Sequence, residues 1–235
     1  MAKDLIKTNQ VQEPKISAAK LAAYLDGDAS KRNKILREHK FPDEYKNAVY
    51  TKLYPVVSRF IKGNCNIEIL ENELSKLSHI VPVSEFEKTN NKTLQTAIEH
   101  LIDTDFSLIQ RYSSVPVPYK RRTIKISGVS VSYIPVGMLE GTFKSKKYFG
   151  LIALNPSKSG SLKGDAAKPF AVLSKLFADQ FDFEDGEVST KMCFSIDVYS
   201  KSVIECPKSH VRIEKNIRIS CDEIKKIWPN VVNIS

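Results

Sequence analysis

With 235 residues, 42% apolar and 27% charged, the chain is long enough to bury an ordinary hydrophobic core and too apolar to stay disordered. No apolar run approaches the roughly 18 residues of a membrane helix, and Met1–Thr8 carries charges where a signal would carry an apolar core, so a cytoplasmic protein with no membrane partner is expected. The net charge of +9 is uneven: residues 116–175 hold 11 basic and 2 acidic side chains, an excess equal to that of the whole chain.

The first elements read as helices. Ser17 is placed to cap a segment with Leu21, Ala22 and Leu25 on one face, which Gly27 stops. Ser30 caps a second, Lys31 to His39, striped by Ile35 and Leu36 and broken at Phe41-Pro42. From Asp43, the residues Tyr45, Val49, Leu53, Val56, Val57, Phe60 and Ile61 recur at helical spacing, with Pro55 kinking or splitting the run and Gly63 ending it. Ile67, Leu70, Leu74 and Leu77 repeat the pattern. Thr93 to Tyr112 is the clearest amphipathic helix, with Leu94, Ile98, Leu101, Ile102, Phe106 and Ile109 on one side.

Val115-Pro116-Val117-Pro118 cannot continue a helix and marks the organisational boundary. It divides a helical region, 1–115, from a mixed α/β region, 116–235, the two being compatible with one compact domain. Arg121 to Ser127 and Val129 to Pro135 read as strands around Gly128, and the nearly continuous apolar run in Lys147 to Asn155 reads as a central strand covered on both faces. Pro169 opens a helix through Phe170, Leu173, Phe177 and Phe181. Met192 to Val198 alternates as a half-buried strand paired with Ser202 to Cys206, and Cys221 to Trp228 forms a last helix ended by Pro229. The expected fold class is α+β: a helical N-terminal part followed by a mixed β-sheet with αβββαβ order.

Local chemistry motifs are sparse. Cys65, Cys193, Cys206 and Cys221 lack C-x-x-C spacing, and His39, His79, His100 and His210 never pair on one helical turn, so free buried thiols are expected and no metal ligands with confidence. The loop Asn155 to Gly164 is rich in Ser, Gly and Lys and precedes a helix, but Gly160 and Gly164 are four apart and Asp165 follows where a P-loop has lysine.

The order helix, three strands, helix, strand over roughly the last 145 residues resembles the core of the PD-(D/E)XK, or restriction-endonuclease-like, superfamily. The resemblance implies an acidic residue at the end of the second core strand and a (D/E)-x-K on the third. Together these hold Mg²⁺ and orient a water for phosphodiester cleavage. Glu140 follows the second strand, but the third reads Leu151-Ile152-Ala153-Leu154-Asn155, with neither carboxylate nor lysine. The catalytic candidates left are Glu99, Glu140 and Asp197 converging on one Mg²⁺, with Lys158 or Lys201 as a displaced lysine; outside that reading no cofactor is expected. The framework Ser17-x-x-Lys20-Leu21, Gly150-x-Ile152, Ile196-Asp197-Val198 and Cys221-x-Glu223-Ile224-x-x-x-Trp228-Pro229 is also similar to bacterial proteins to which no activity is attached.

The basic residues point to phosphate. Lys120, Arg121, Arg122 and Lys125, and then Lys144, Lys146 and Lys147, flank the two-strand segment, whose hairpin would bring them together to track a backbone. Tyr119, Tyr133 and Tyr148 interleave with them as candidate base-stacking surfaces. Lys31, Arg32 and Arg37 offer a helix-turn-helix alternative, opposed by Asp26 and Asp28 in its turn. The expected function is nucleic-acid binding, to DNA or RNA, in a bacterial defence or mobile-element system. The alternatives are a protein-interaction subunit or adaptor of a larger bacterial complex, and a metal-dependent nuclease with a non-standard site.

Overall fold

The computed structural model describes residues 10–42, 48–117, 122–181, 183 and 186–233. In chain order its elements are β1 Lys15–Ser17, α1 Ala18–Leu25, α2 Ala29–Lys40, α3 Ala48–Thr51, α4 Leu53–Lys62, α5 Glu68–Ser78, α6 Glu85–Ile102 and β2 Ser113–Val115. There follow β3 Arg122–Ile126, β4 Val129–Tyr133, β5 Pro135–Phe143, β6 Lys146–Asn155, α7 Lys168–Ala178, β7 Gly186–Val188, β8 Phe194–Asp197, β9 Ser202–Glu205 and α8 His210–Ile227. The protein is α+β, a helical N-terminal part followed by a sheet-rich one. Among the described residues no helix is long and apolar enough to cross a membrane.

Capping chemistry sets the helix boundaries. Ser17 Oγ accepts from the Lys20 N–H at 3.4 Å and starts α1 as expected. α2 is capped by Asp28 rather than Ser30: its Oδ1 accepts from Lys31 N–H at 2.8 Å, and a carboxylate also meets the positive end of the helix dipole. Pro55 occupies the first turn of α4, where its missing N–H costs nothing, so of the two expected outcomes the run is split, into α3 and α4, and not kinked. α6 begins at Glu85, earlier than the apolar stripe alone suggests. Ser84 Oγ accepts from Glu87 N–H (3.2 Å) while Glu87 Oε2 accepts from Val83 N–H (2.9 Å), a capping-box exchange. The helix ends at Asp103 rather than Tyr112, and Phe106 and Ile109 reach the core from turns instead. α8 starts at His210 rather than Cys221.

The strands divide between two sheets, where a single sheet was expected. In the first, order β1-β4-β3, β1 runs parallel to β4, and β3 pairs antiparallel with β4 through Ser127-Gly128, both at positive φ as a tight hairpin requires. The second has the order β2-β5-β6-β8-β9, with β7 joining β6 beside β8. β5 and β6 form a hairpin, and α7 carries the chain from β6 to β8, which pair in parallel from Ile152↔Phe194 to Asn155↔Asp197. β5 escaped the sequence pattern because glycines interrupt it. A Cβ at Gly137 would collide with the side chain of Ile61, and one at Gly141 with that of Met192.

Each face of the second sheet covers a core. One, with Leu21, Tyr24, Val131, Phe177, Ile217 and Trp228, joins both sheets to α1, α7 and α8. The other, with Phe60, Leu70, Leu101, Leu139, Ile152 and Phe194, lies beneath α4, α5 and α6. β6 is sandwiched between them: Leu151 and Ala153 face the first core, Ile152 and Leu154 the second, which is why its sequence is apolar without alternation. β1 and β2 precede residue 116 yet pair with β4 and β5, so the two regions on either side of that position share their sheets. The buried Lys40 ammonium closes the first core by donating to the carbonyls of Trp228 (2.7 Å), Pro229 (3.1 Å) and Val231 (2.9 Å).

Candidate nucleic-acid interface

The three carboxylates do not converge. Glu140 stands opposite Phe149 on β6, and Asp197 stands opposite Asn155 of the same strand. Six residues of β6 separate those positions, roughly 20 Å at ~3.3 Å per residue. Glu99 is exposed on α6, which packs on the second core, whereas Glu140 and Asp197 follow second-core residues Leu139 and Ile196 and so project from the opposite sheet face. A cation needs its ligands within about 2.6 Å, and no group of three His, Cys, Asp or Glu side chains among the described residues meets that demand. The expected shared metal site is therefore corrected.

Asp197 instead anchors the loop after β6. Its Oδ2 accepts from Asn155 Nδ2 (2.7 Å) and Leu162 N–H (2.6 Å), and its Oδ1 from Ser161 Oγ (2.8 Å) and Ser200 N–H (2.8 Å). Asn155 adds a bond from Nδ2 to the Gly160 carbonyl at 2.8 Å. A buried carboxylate with four donors is stable because its lone pairs are used, and that use leaves it little capacity for a metal. Of the displaced lysines, Lys201 donates to Asp103 at 2.7 Å, which holds that carboxyl below its usual range, and Lys158 is exposed on the anchored loop.

The basic candidates are spread out. Lys120 and Arg121, with Tyr119, lie outside the described residues. Arg32 closes the end of α1: Nε donates to the Tyr24 carbonyl (3.0 Å) and Nη2 to that of Leu25 (3.4 Å), and Nη1 lies 3.7 Å from Glu223. Lys31 lies 3.9 Å from Asp26 and Arg37 is half-buried on α2, so the helix-turn-helix reading loses its central contact to a structural role. Lys144, Lys146 and Lys147 cluster at the start of β6, where Lys146 pairs with Glu187 at 3.3 Å, while Lys158 and Lys163 follow the other end of that strand. The basic segment is thus divided, and its two clusters sit on hairpins of different sheets rather than on one hairpin.

What links those hairpins is an aromatic stack. Phe149 of β6 stacks on Phe183 (4.7 Å between centroids), Phe183 on Phe181 (5.6 Å), and the Arg122 guanidinium lies 4.1 Å from the centre of Phe181. Arg122 Nε is buried with no hydrogen-bond partner among the described residues, so stacking fixes this side chain.

Beside Arg122 opens a groove of about 400 Å³. One wall is β3, the edge of its sheet, with no partner beyond it among the described residues. Leu176, Phe177 and Phe181 line its inner side, the first two buried in the core, and Arg122 and Arg218 bring two guanidinium groups to it, while Lys125 lines it from β3 at a position that alternates with Arg122. Arg218 also pairs with Glu214 at 2.7 Å on its own exposed helix face, a weak tie in water. The sequence reading missed Arg218 because it began α8 too late; the four-residue step from Glu214 to Arg218 was the available signal. Lys125 lies exposed on β3, at a position that alternates with Arg122 and Ile124.

Tyr133 and Tyr148 do not serve as stacking surfaces. Tyr133 is buried against Phe177 (4.4 Å, 19° between planes), which pushes its phenol well above the usual range, and Tyr148 packs on the second core. The cysteines are free and buried, and burial pushes each thiol up to about 12, as inert core residues rather than nucleophiles. Compared with known proteins, the chain matches no family model and no curated sequence.

Proposed function

We propose that this protein binds nucleic acid through the groove between β3 and α8. The observation that carries the reading is the meeting of Arg122 and Arg218, from two elements distant in sequence, at one groove that Lys125 also lines. Guanidinium groups brought together in this way suit phosphate oxygens. Catalysis is not part of this reading, since the carboxylates are dispersed and Asp197 is committed to its loop. A cytoplasmic setting in a bacterial system that meets foreign nucleic acid belongs with it. One feature favours the adaptor reading instead: the edge of β3, unpaired among the described residues, which an extended acidic segment of a partner protein could join as a further strand.

Fluorescence polarisation with labelled DNA and RNA at three salt concentrations tests the proposal. Binding should weaken with salt, the logarithmic slope losing about 0.7 for each single-strand phosphate contact removed. Lys125→Glu with Arg218→Glu should lower affinity at least about tenfold while the fold is kept. Absence of binding to every oligonucleotide at low salt overturns it, and capture of an acidic peptide at β3 would then stand in its place.

A further inference from the structure

Away from the groove, we infer that Cys193 and Cys206 form a reversible disulfide site whose reagent is a low-molecular-weight disulfide such as oxidised glutathione. The pairing of β8 with β9 puts the two residues face to face. Phe194 stands opposite Glu205 and Ser195 opposite Ile204, so one step outward brings Cys193 opposite Cys206. The Cys206 N–H donates to the Cys193 carbonyl at 2.8 Å, which makes them a hydrogen-bonded antiparallel pair. Residues paired in this way have Cα atoms ~5.5 Å apart, inside the ~4.4–6.8 Å that a disulfide spans. Their side chains also leave the sheet on one face: both cysteines belong to the first core, while Phe194 and Val203 turn to the second. A thiolate at Cys206 would push the Cys193 thiol up, a sign of how near the two sulfurs lie. Cys65 lies in the other core and Cys221 on α8, both outside this strand pairing.

The chemistry follows from where the pair sits. Cys193 is 0% and Cys206 3% exposed, and in the closed fold burial keeps both thiols protonated and unreactive. β9 is the last strand of its sheet among the described residues and half-buried along its length, and Pro207 after Cys206 has no N–H to extend the ladder. Such an edge opens at lower cost than the central strands. Opening restores an ordinary thiol at Cys206. Its thiolate attacks one sulfur of the small disulfide, expels one glutathione thiolate and leaves a mixed disulfide on the protein. As β9 closes, the Cys193 thiolate attacks the Cys206 sulfur and expels the second glutathione. The two protons shed by the protein go to the two glutathione thiolates, so the protein is oxidised by two electrons and the reagent reduced by two. The register of β8 and β9 decides the partner: an unfolded chain would join Cys206 to Cys193 or to Cys221 across similar spans of sequence.

The test is mass spectrometry of the whole chain after incubation in glutathione buffers, native and in denaturing urea, with free thiols alkylated at the quench. The native chain should lose two hydrogens, retain no glutathione and give a Cys193–Cys206 cross-linked peptide, with Cys65 and Cys221 alkylated. Dithiothreitol should reverse the change. In urea a mixture that includes Cys206–Cys221 is expected. Deuterium exchange supplies the clock, since the β9 amides report each opening. Once the bond has formed, those amides should exchange at least about tenfold more slowly. Cys193→Ala removes the second thiol, so glutathione should remain on Cys206; a free Cys206 in that variant would overturn the order of attack. Native cross-links that match the urea mixture, or Cys193 and Cys206 still alkylated after the β9 amides have exchanged, overturn the inference. Those two outcomes are read on the wild type, so they stand even if Cys193→Ala fails to fold. Failure of oligonucleotide binding would leave this inference untouched.

Discussion

Replacing Asp197 by asparagine exchanges one carboxylate oxygen for –NH₂ and separates an anchor from a catalytic acid. The carboxylate accepts four hydrogen bonds, two at each oxygen, and three of the donors are fixed N–H groups. An asparagine amide must present –NH₂ to one pair. Facing Asn155 Nδ2 and Leu162 N–H it meets two donors that are already committed; facing Ser161 and Ser200 it meets a hydroxyl that turns to accept and one N–H that cannot. The second orientation costs less. It leaves one buried N–H unpaired, about 1–3 kcal/mol, and converts charge-assisted bonds of ~1.5–3 kcal/mol to neutral ones of ~0.5–1.5 kcal/mol. Relief from burying a charge offsets part of this. A net loss of about 3 kcal/mol is expected, which in a chain of this size lowers the melting temperature by roughly 6–12 °C. Urea unfolding and calorimetry measure it, and the folded variant should bind oligonucleotides like the wild type. A loss below about 1 kcal/mol would refute the anchoring argument, and loss of binding by the folded variant would return Asp197 to the site.

Other outcomes follow from groups outside the groove. Lys40→Met leaves the carbonyls of Trp228, Pro229 and Val231 without their buried donor. It should cost about 3 kcal/mol in urea unfolding, nearly independent of salt, and a strongly salt-dependent loss would mean that the ammonium is in water. The thiols ionise from near 9.0 when unfolded and from about 12 when folded, so the unfolded state sheds protons first. Stability should therefore fall as pH rises from about 9 toward 12, and a urea midpoint that stays flat across that window counts against their burial. His39 is held below its usual 6.5 by burial, its Nε2 accepting from Ser17 N–H at 3.2 Å. The unfolded chain then gains a proton more readily, so this contribution is present above about 6.5 and lost as pH falls. His39→Gln should flatten that acid limb, and an unchanged limb would exclude His39 as its source.

Local signals carried most of the element order, and tertiary proximity carried the site. Ser17, the Ile35-Leu36 stripe and the apolar run of β6 speak for their own segments, because caps and periodicity act over a few residues. The Ser84–Glu87 capping pair and the Glu214–Arg218 step were present in the sequence too, but an apolar stripe weighs more heavily on the eye than a polar cap. β5 was invisible for a different reason: Gly137 and Gly141 answer to Ile61 and Met192, residues far away in the chain. The same holds for Arg122, whose partner Phe181 is set by how α7 ends against β3. Charge composition located a basic segment; only the fold of the two hairpins determined that β6 separates its lysines.

The two cores have a consequence for the order in which the chain can be made. Every buried residue of the second core lies between Leu53 and Val198, whereas the first begins at Ile16 and is completed by Trp228. One is nested inside the other along the sequence. At ~5–20 residues per second, roughly 10–40 s pass between the synthesis of Lys40 and that of the carbonyls it caps. During that interval α4, α5 and α6 have what they need to fold on their sheet, while the first core, where α1 already has α7 and β4 to pack on, still lacks Ile217, Cys221, Ile224 and Trp228. A nascent chain stalled short of α8 therefore shows a chaperone one specific surface, the side of the first core that α8 and Trp228 close, and not a general tangle.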